Sequence, residues 1–227
     1  MILVKTLWDR LKVLTKTGTS GYFTAEEFNS NLYSVQYTVL SILCDNYENS
    51  QKVSDALINH IKNYTGSTTA AGKMFAVSIE QSLSNYYRTL ALNYSGSELS
   101  PSKKIAVNEI GMYSTSPIRK ADLTKNRTLY YFVDNNIQTL PKQSLPFSLI
   151  YCIKPALAKI AFTTAEDEDN DYLVVDNTNT VNIDFPEGLF NLFAYLMLES
   201  IGIEQKESLA SEYAQLGINR TVQTDIK

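Results

Sequence analysis

An α+β fold, with N-terminal helices, a central and mostly antiparallel sheet and a buried helix pair near the C-terminus, is predicted by three features of the sequence. Residues 2–44 place apolar side chains every three or four positions, which is helical spacing. From Lys103 the texture changes to short β-branched and aromatic runs separated by turn residues, which is the pattern of strands. The third feature is DFPEGLFNLFAYLMLESIGI, residues 184–203, the most apolar segment and one with its own start and stop signals. Pro186 suits a first helical position, Glu187 meets the positive end of the helix dipole, and Gly202 supplies a left-handed stop. Only Asn191, Glu199 and Ser200 interrupt the apolar circumference, so this helix is expected to be covered all round. One domain is expected over 1–217, helical in 1–95, strand-rich in 103–184 and helical in 185–217, followed by an arm at 218–227.

The totals bound the function. At 227 residues and 44% hydrophobic the chain can bury a core, and a net charge of −4 gives the whole chain no nucleic-acid signature. Cys44 and Cys152 stand in no paired spacing, which favours buried thiols in a reduced compartment over a disulfide framework. The start, MILVKTLWDRLKVLTK, interleaves charges with its apolar residues and lacks the continuous apolar region of a signal peptide, so an unsecreted protein is expected. The unbroken apolar run at 192–198 falls far short of the roughly 20 residues that span a bilayer, and no membrane role is expected.

Along the chain, Leu3, Leu7, Leu11 and Leu14 with Trp8 define a first amphipathic helix. A core-facing role is preferred to a membrane-surface anchor built on Lys5, Arg10, Lys12 and Lys16. KTGTSGYFTAEEF, residues 16–28, has the glycine and glutamate spacing of a calcium loop, but Lys16, Gly18 and Ser20 stand where the acidic ligands belong, so no calcium is expected. Thr24 and Glu27 form a T-x-x-E capping box, with Phe23 and Phe28 at the positions of a hydrophobic staple. The helix they start carries Phe28, Leu32, Val35, Val39 and Ile42 or Leu43 on one face, with Tyr33, Tyr37 and Leu40 on another, and Asp45-Asn46 ends it. Further helices are expected at 53–64 and 74–93, the latter through Phe75, Ile79, Leu83, Tyr86 or Tyr87, and Leu90. GSTTAAG, residues 66–72, reads as a loop but not a phosphate loop, because Met74 follows Gly72-Lys73.

Strands are expected at 105–113, 128–133, 147–153, 159–163, 172–175 and 180–183, the last two forming a hairpin across DNTNT. The acidic run Glu166, Asp167, Glu168, Asp169 and Asp171 is better read as a solvated hairpin tip than as a metal site. Lys103, Lys104, Arg119, Lys120, Lys125, Arg127 and Lys142 either face an acidic partner or are scattered solvated charges. A final helix at 204–216 with Leu209, Tyr213 and Leu216 precedes the polar tail.

No conventional catalytic set is visible: His60 is the only histidine, and there is no nucleophile elbow, zinc-protease or dinucleotide motif. Any two of the 24 acids meeting across a cleft would escape a reading by spacing, so a glycosidase-like pair is left open. No enzyme activity, cofactor or metal is expected.

Two stretches carry a resemblance. LTKTGTSGYFTAEEFNSNLYSVQ at 14–36, with its G-Y-x-T-x-E-E-F-N helix start followed by a glutamine, and VNIDFPEGLFNLFAYLMLESIGI at 181–203, with a hydrophobic helix entered through F-P-E, are similar to virion structural proteins of tailed bacteriophages. The group they resemble is the ring or connector proteins of crAss-like phages. The resemblance implies a closed ring of about twelve copies beneath the portal, in contact with the portal and neighbouring ring or tail proteins and with packaged DNA in the exit channel. It implies a place in the virion, assembled in the host cytoplasm, and it carries over no active-site residue. The alternative is a monomeric cytosolic α+β binding module without catalysis.

Overall fold

The computed structural model describes residues 1–16, 23–47, 51–69, 83, 85–94, 102–134, 136–167 and 170–204. In chain order the elements are α1 (Val4–Lys16), α2 (Ala25–Asp45), α3 (Gln51–Ala56), β1 (Ile61–Ser67), β2 (Tyr86–Tyr94), β3 (Lys103–Lys104), α4 (Ile110–Thr115), β4 (Leu129–Val133), β5 (Asn136–Leu140), β6 (Pro146–Ile153), β7 (Phe162–Asp167), β8 (Asn170–Val175) and α5 (Phe190–Glu204). Short 3₁₀ turns, Val107–Glu109 and Glu187–Leu189, lead into α4 and α5. The chain is an α+β protein and divides into two compact units, Met1–Asn59 with Pro155–Lys227, and His60–Lys154.

The first unit is built on helices. In α1 the buried residues are Val4, Leu7, Trp8 and Leu11. Leu3 and Leu14, expected on this stripe, are exposed. Leu3 precedes the helix in extended chain, where side chains alternate, so Ile2 and Val4 turn inward and Leu3 outward. Thr24 caps α2: its Oγ1 accepts from Glu27 N at 3.2 Å, and the Glu27 carboxylate accepts from Thr24 N at 2.7 Å. Phe23 stacks on Phe28 with ring centroids 6.1 Å apart, closing the staple, and Trp8 packs edge-on against both at 4.9 and 5.0 Å. Phe28, Leu32, Val35, Val39 and Leu43 are buried as the spacing predicts, and so is Leu40, which therefore belongs to the core.

Pro186 lies just outside the turn into α5, in extended conformation, with Glu187 as the first turn residue. Leu189, Leu192, Phe193, Leu196, Met197 and Ile201 are buried, whereas Phe190, Tyr195 and Leu198 are half-buried, so cover is not complete among the described residues. The helix passes through Gly202 and reaches Glu204, so the expected stop does not act. Glycine inside a helix costs only about 1 kcal/mol against alanine, which the packing of this face outweighs. The expected 204–216 helix and 218–227 arm lie outside the described residues beyond Glu204.

The hairpin expected at 172–183 is displaced. β8 pairs with the preceding β7, from Phe162 opposite Val175 to Asp167 opposite Asn170. Asp176 then turns the chain, accepting from the backbone N–H groups of Thr178 at 2.8 Å and Asn179 at 3.2 Å. Beyond the turn Val181 bridges Lys159 and Ile183 bridges Ile2 as isolated pairs. Asp-Asn-Thr-Asn-Thr is a turn sequence as expected, but long-range pairing rather than the nearest neighbour takes up the chain on its far side.

The second unit is built on strands. β6 is the centre of a three-stranded antiparallel sheet, with β1 and β2 on its flanks. Two expected helices are overturned here. The helix expected at 53–64 ends at Ala56, and Ile61–Ser67 is β1; Asn63, Tyr64, Thr65 and Gly66 are poor helix formers, and their backbone pairs along β6. The expected 74–93 helix is replaced over Tyr86–Tyr94 by β2, in which Leu92 and Tyr94 are fully buried two residues apart. Its earlier part lies outside the described residues, Leu83 and Asn85 aside.

A second sheet joins β3 to β4 in parallel and β4 to β5 antiparallel. β5 is not among the strands expected from the sequence. Tyr130 and Ile137 of this sheet join Leu92, Tyr94, Phe147, Leu149 and Tyr151 of the first in one core. On alternate positions Leu129, Tyr131 and Leu140 form a smaller core with Ile105 and Ala121. The Tyr94 hydroxyl donates to the carbonyls of Pro141 and Gln143, at 3.0 and 2.6 Å, tying β2 to the turn after the cis Leu140–Pro141 bond.

Candidate interaction surface

Two arrangements of polar side chains stand out, one in each unit. In the first, α2 holds an extended strand by its side-chain amides. Asn29 donates to the Ile160 carbonyl at 3.0 Å and accepts from Ile160 N at 2.9 Å. Two helical turns on, the fully buried Gln36 donates to the Ala156 carbonyl at 3.0 Å and accepts from Ala158 N at 3.0 Å. Each amide offers both donor and acceptor, so it substitutes for a neighbouring strand without any strand being present. Asn182 acts similarly at the start of α1, accepting from Val4 N at 3.1 Å. Asn31 and Ser200 join α2 to α5 through a 2.6 Å bond.

In the second unit the stretch 103–127 leaves β3, covers the smaller core and returns to β4. Ile105 and Ala121 anchor it, and Ile110 and Tyr113 pack beside them. The strand expected at 105–113 does not form. The Glu109 carboxylate instead accepts from Ala106 N at 3.1 Å, a helix-start contact that opens the turn into α4. Farther on, Asp122 and Arg127 close a loop with reciprocal backbone bonds of 2.9 and 2.8 Å. Asn126 takes the left-handed conformation this loop needs, with φ at 51°. The Arg127 guanidinium donates to the Ile118 carbonyl, and that of Arg119 reaches the Met112 sulfur at 3.0 Å.

The surface of this excursion is basic. Lys103, Lys104, Arg119, Lys120, Lys125 and Arg127 are exposed, and none forms an ion pair among the described residues. Its two carboxylates are engaged locally: Glu109 caps the turn, and Asp122 accepts from Thr124 Oγ1 at 2.7 Å and Thr124 N at 2.9 Å. These Thr124 bonds, side chain first, hold the Asp122 carboxyl below its ordinary range, with smaller pulls from Lys125 and Arg127. The same stretch carries exposed apolar side chains, Ile118 at 77%, Val107 at 50% and Met112 at 44%. Over the whole unit, eleven Lys and Arg face five Asp and Glu, a balance of +6. The rest of the chain has nine against nineteen, or −10. The net charge of the sequence conceals this division.

The other singled-out residues are dispersed. Glu27 is occupied by its cap, and positions 17–22 of the calcium-like loop, Gly18 and Ser20 among them, lie outside the described residues. His60 is buried, and its carbonyl accepts from Ile153 N at 2.8 Å. Cys44 and Cys152 are buried thiols, neither of them in a disulfide. Tyr33 is exposed with Tyr37 against it, ring centroids 5.0 Å apart, and Tyr86 and Tyr87 are half-buried. Among the described residues no group of three metal-ligating side chains comes together, and no helix is long and apolar enough to cross a membrane. Lys142 lies apart from the 103–127 excursion in sequence and is exposed. No protein-family model and no curated protein matches the chain.

The amide clamp is not anticipated from the sequence although its signal is present: two amides seven residues apart, Asn29 and Gln36, share a face with the apolar stripe of a helix. A buried amide there requires a partner.

Proposed function

We propose that this protein is a structural component of a tailed-phage virion, a ring or connector protein of the portal-proximal head-to-tail or tail-barrel assembly, without catalytic activity. The observation that carries the reading is where the resembling residues fall. Thr24, Glu27, Asn29 and Gln36 of the first stretch cap α2 and clamp the 156–160 segment, and Asn182, Ile183 and Phe185 of the second brace α1 and α5. The resemblance thus rests on residues that hold a scaffold together, and none of them belongs to a reactive set of side chains. Phe185, for example, packs against Phe193 with ring centroids 5.6 Å apart.

In this reading a scaffold unit and a basic unit serve contacts with further copies of the chain, the portal, adjoining rings and DNA in the channel. A closed ring requires a heterologous contact, with different surfaces meeting on successive copies. The test is incorporation. The full chain should be found in purified particles of the phage that encodes it, and removal of 218–227 should reduce assembly onto portal-containing heads while leaving the melting midpoint nearly unchanged. Absence of the full chain from such particles would leave the monomeric binding module as the better reading.

A further inference from the structure

We propose that the outer edge of β1 pairs with the same edge of a second copy of this chain, antiparallel and about a twofold axis at Tyr64, so that two three-stranded sheets join into one of six strands. A twofold pair is not the heterologous contact of a closed ring; it goes beyond the ring reading and stands or falls without it.

Two backbone bonds show which groups β1 has to offer. Ile153 N donates to the His60 carbonyl at 2.8 Å, and Thr68 N donates to the Leu145 carbonyl at 2.9 Å. With Ile61 opposite Cys152, these bonds turn the backbone of the even-numbered residues 60–68 toward β6. The N–H and C=O groups of Ile61, Asn63, Thr65 and Ser67 therefore point away from the sheet, and among the described residues they have no partner.

The sheet protects one of its edges and not the other. β2 shifts register against β6 between Tyr86 and Arg88 and again between Thr89 and Ala91, and its Leu92 carbonyl accepts from Ser102 N at 2.7 Å. Bulges and cover of this kind keep an edge from pairing. β1 runs for 7 residues in unbroken register, with no proline and with Lys62 as its one charge. So regular an edge is a template for a further strand.

The sequence of β1 fits that strand to a second copy of itself. With Tyr64 opposite Tyr64, Ile61 meets Ser67 and Asn63 meets Thr65, so all four outward residues fall in hydrogen-bonded pairs. A shift of two residues either way leaves one of them without a β1 partner. Lys62 meets Gly66, so no like charges are opposed. Tyr64 is 37% exposed and stands beside Phe147, ring centroids 6.0 Å apart, on the face that carries Leu149 and Tyr151. A second Tyr64 across the axis continues that apolar face. The outer edges of the joined sheet are then both β2, so association stops at two copies.

Sedimentation equilibrium of the full chain should show monomer and dimer and nothing larger. Thr65→Pro removes an outward N–H and none of the bonds to β6, so dimerisation should weaken at least about tenfold at a nearly unchanged melting midpoint. Thr65→Val keeps the N–H and should dimerise like the wild type. Tyr64→Cys reads the register, because the pairing brings its two Cα atoms to about 4.5 Å, within disulfide range, whereas Lys62→Cys leaves its pair roughly 13 Å apart along the strand. Oxidation should cross-link the first variant and not the second, the native Cys44 and Cys152 being buried. Amide exchange at Ile61, Asn63, Thr65 and Ser67 should slow as concentration rises, while Lys62, Tyr64 and Gly66 stay protected at every dilution.

Four results would overturn the pair: a wild-type chain monomeric up to near-millimolar concentration, a Thr65→Pro variant that dimerises as tightly as the wild type, equal cross-linking of Lys62→Cys and Tyr64→Cys, or edge amides that gain protection only when a different protein is added. The last would give the edge to that partner. Purified particles judge the ring: absence of the chain there discards the ring and leaves the pair untouched, and a monomeric wild type discards the pair and leaves the ring untouched.

Discussion

The two units use their polar groups in opposite ways. In the helical unit Asn29, Gln36 and Asn182 bond to backbone groups that no neighbouring strand pairs, and Asn31 accepts from Ser200 between two helices. In the strand unit backbone pairing around β6 does the holding, and charged side chains are left on the surface without ion pairs among the described residues at Lys103, Lys120 and Lys125. Where side-chain polarity is consumed by the fold, substitution should cost stability. Where it is left over, substitution should cost binding and leave stability nearly alone.

The largest effect is expected in α5 of the helical unit. Phe193→Ala removes a fully buried ring packed on Phe185, and a loss of about 3 to 5 kcal/mol is expected in denaturant unfolding. A normally stable variant would show that α5 does not organise the unit. Next in size, Gln36→Ala leaves the Ala156 carbonyl and Ala158 N–H without their partner, at about 1 to 3 kcal/mol for each buried group. Gln36→Glu separates the two bonds, because it keeps the acceptor for Ala158 and loses the donor for Ala156, so it should fall short of the wild type even at the same side-chain volume.

Capping comes lower. Thr24→Ala should destabilise by about 0.5 to 2 kcal/mol, read as a shift in the melting midpoint, and Thr24→Asn should recover most of it. The smallest expected effect is on pH. Hydrogen bonds from Thr124 to Asp122, and from Asn179 and Thr178 to Asp176, lower both carboxyl pKa values. A group lowered in the folded state contributes stability that is fully present above its unfolded pKa, about 3.9 for Asp, and is lost as pH falls through the folded value. Unfolding measured from pH 5 downward should therefore show a slight loss beginning near that point, flattened in Asp122→Asn. Both residues sit in surface turns where solvent screens the carboxylate, so the effect is small.

The same division explains how much of the molecule is legible in its sequence. α1, α2 and α5 are legible because a helix writes its period and its caps into neighbouring residues: Thr24, Glu27, Phe23 and Phe28 are a local code that the structure reproduces contact for contact. β4 and β6 are legible from their apolar runs. β1 and β2 are not, because Tyr64 and Leu90 fit a helical stripe as well as a strand, and only the pairing of both segments with β6, far along the chain, decides between them. The cations of the excursion are visible as residues, but the course of the chain that carries them, with a loop closed by Asp122 and Arg127 and an anchoring by Ile105 and Ala121, is announced by no local pattern.

The proposed assembly of this chain with itself into a ring within a virion has a direct readout in quantitative mass spectrometry of purified particles from the phage that the proposal requires to encode it. The chain should be present at a fixed copy number equal to that of the portal protein, about twelve if the closed ring matches the portal's symmetry. Particles that package DNA and infect normally without this chain, or that carry it at variable, trace amounts, would contradict the ring.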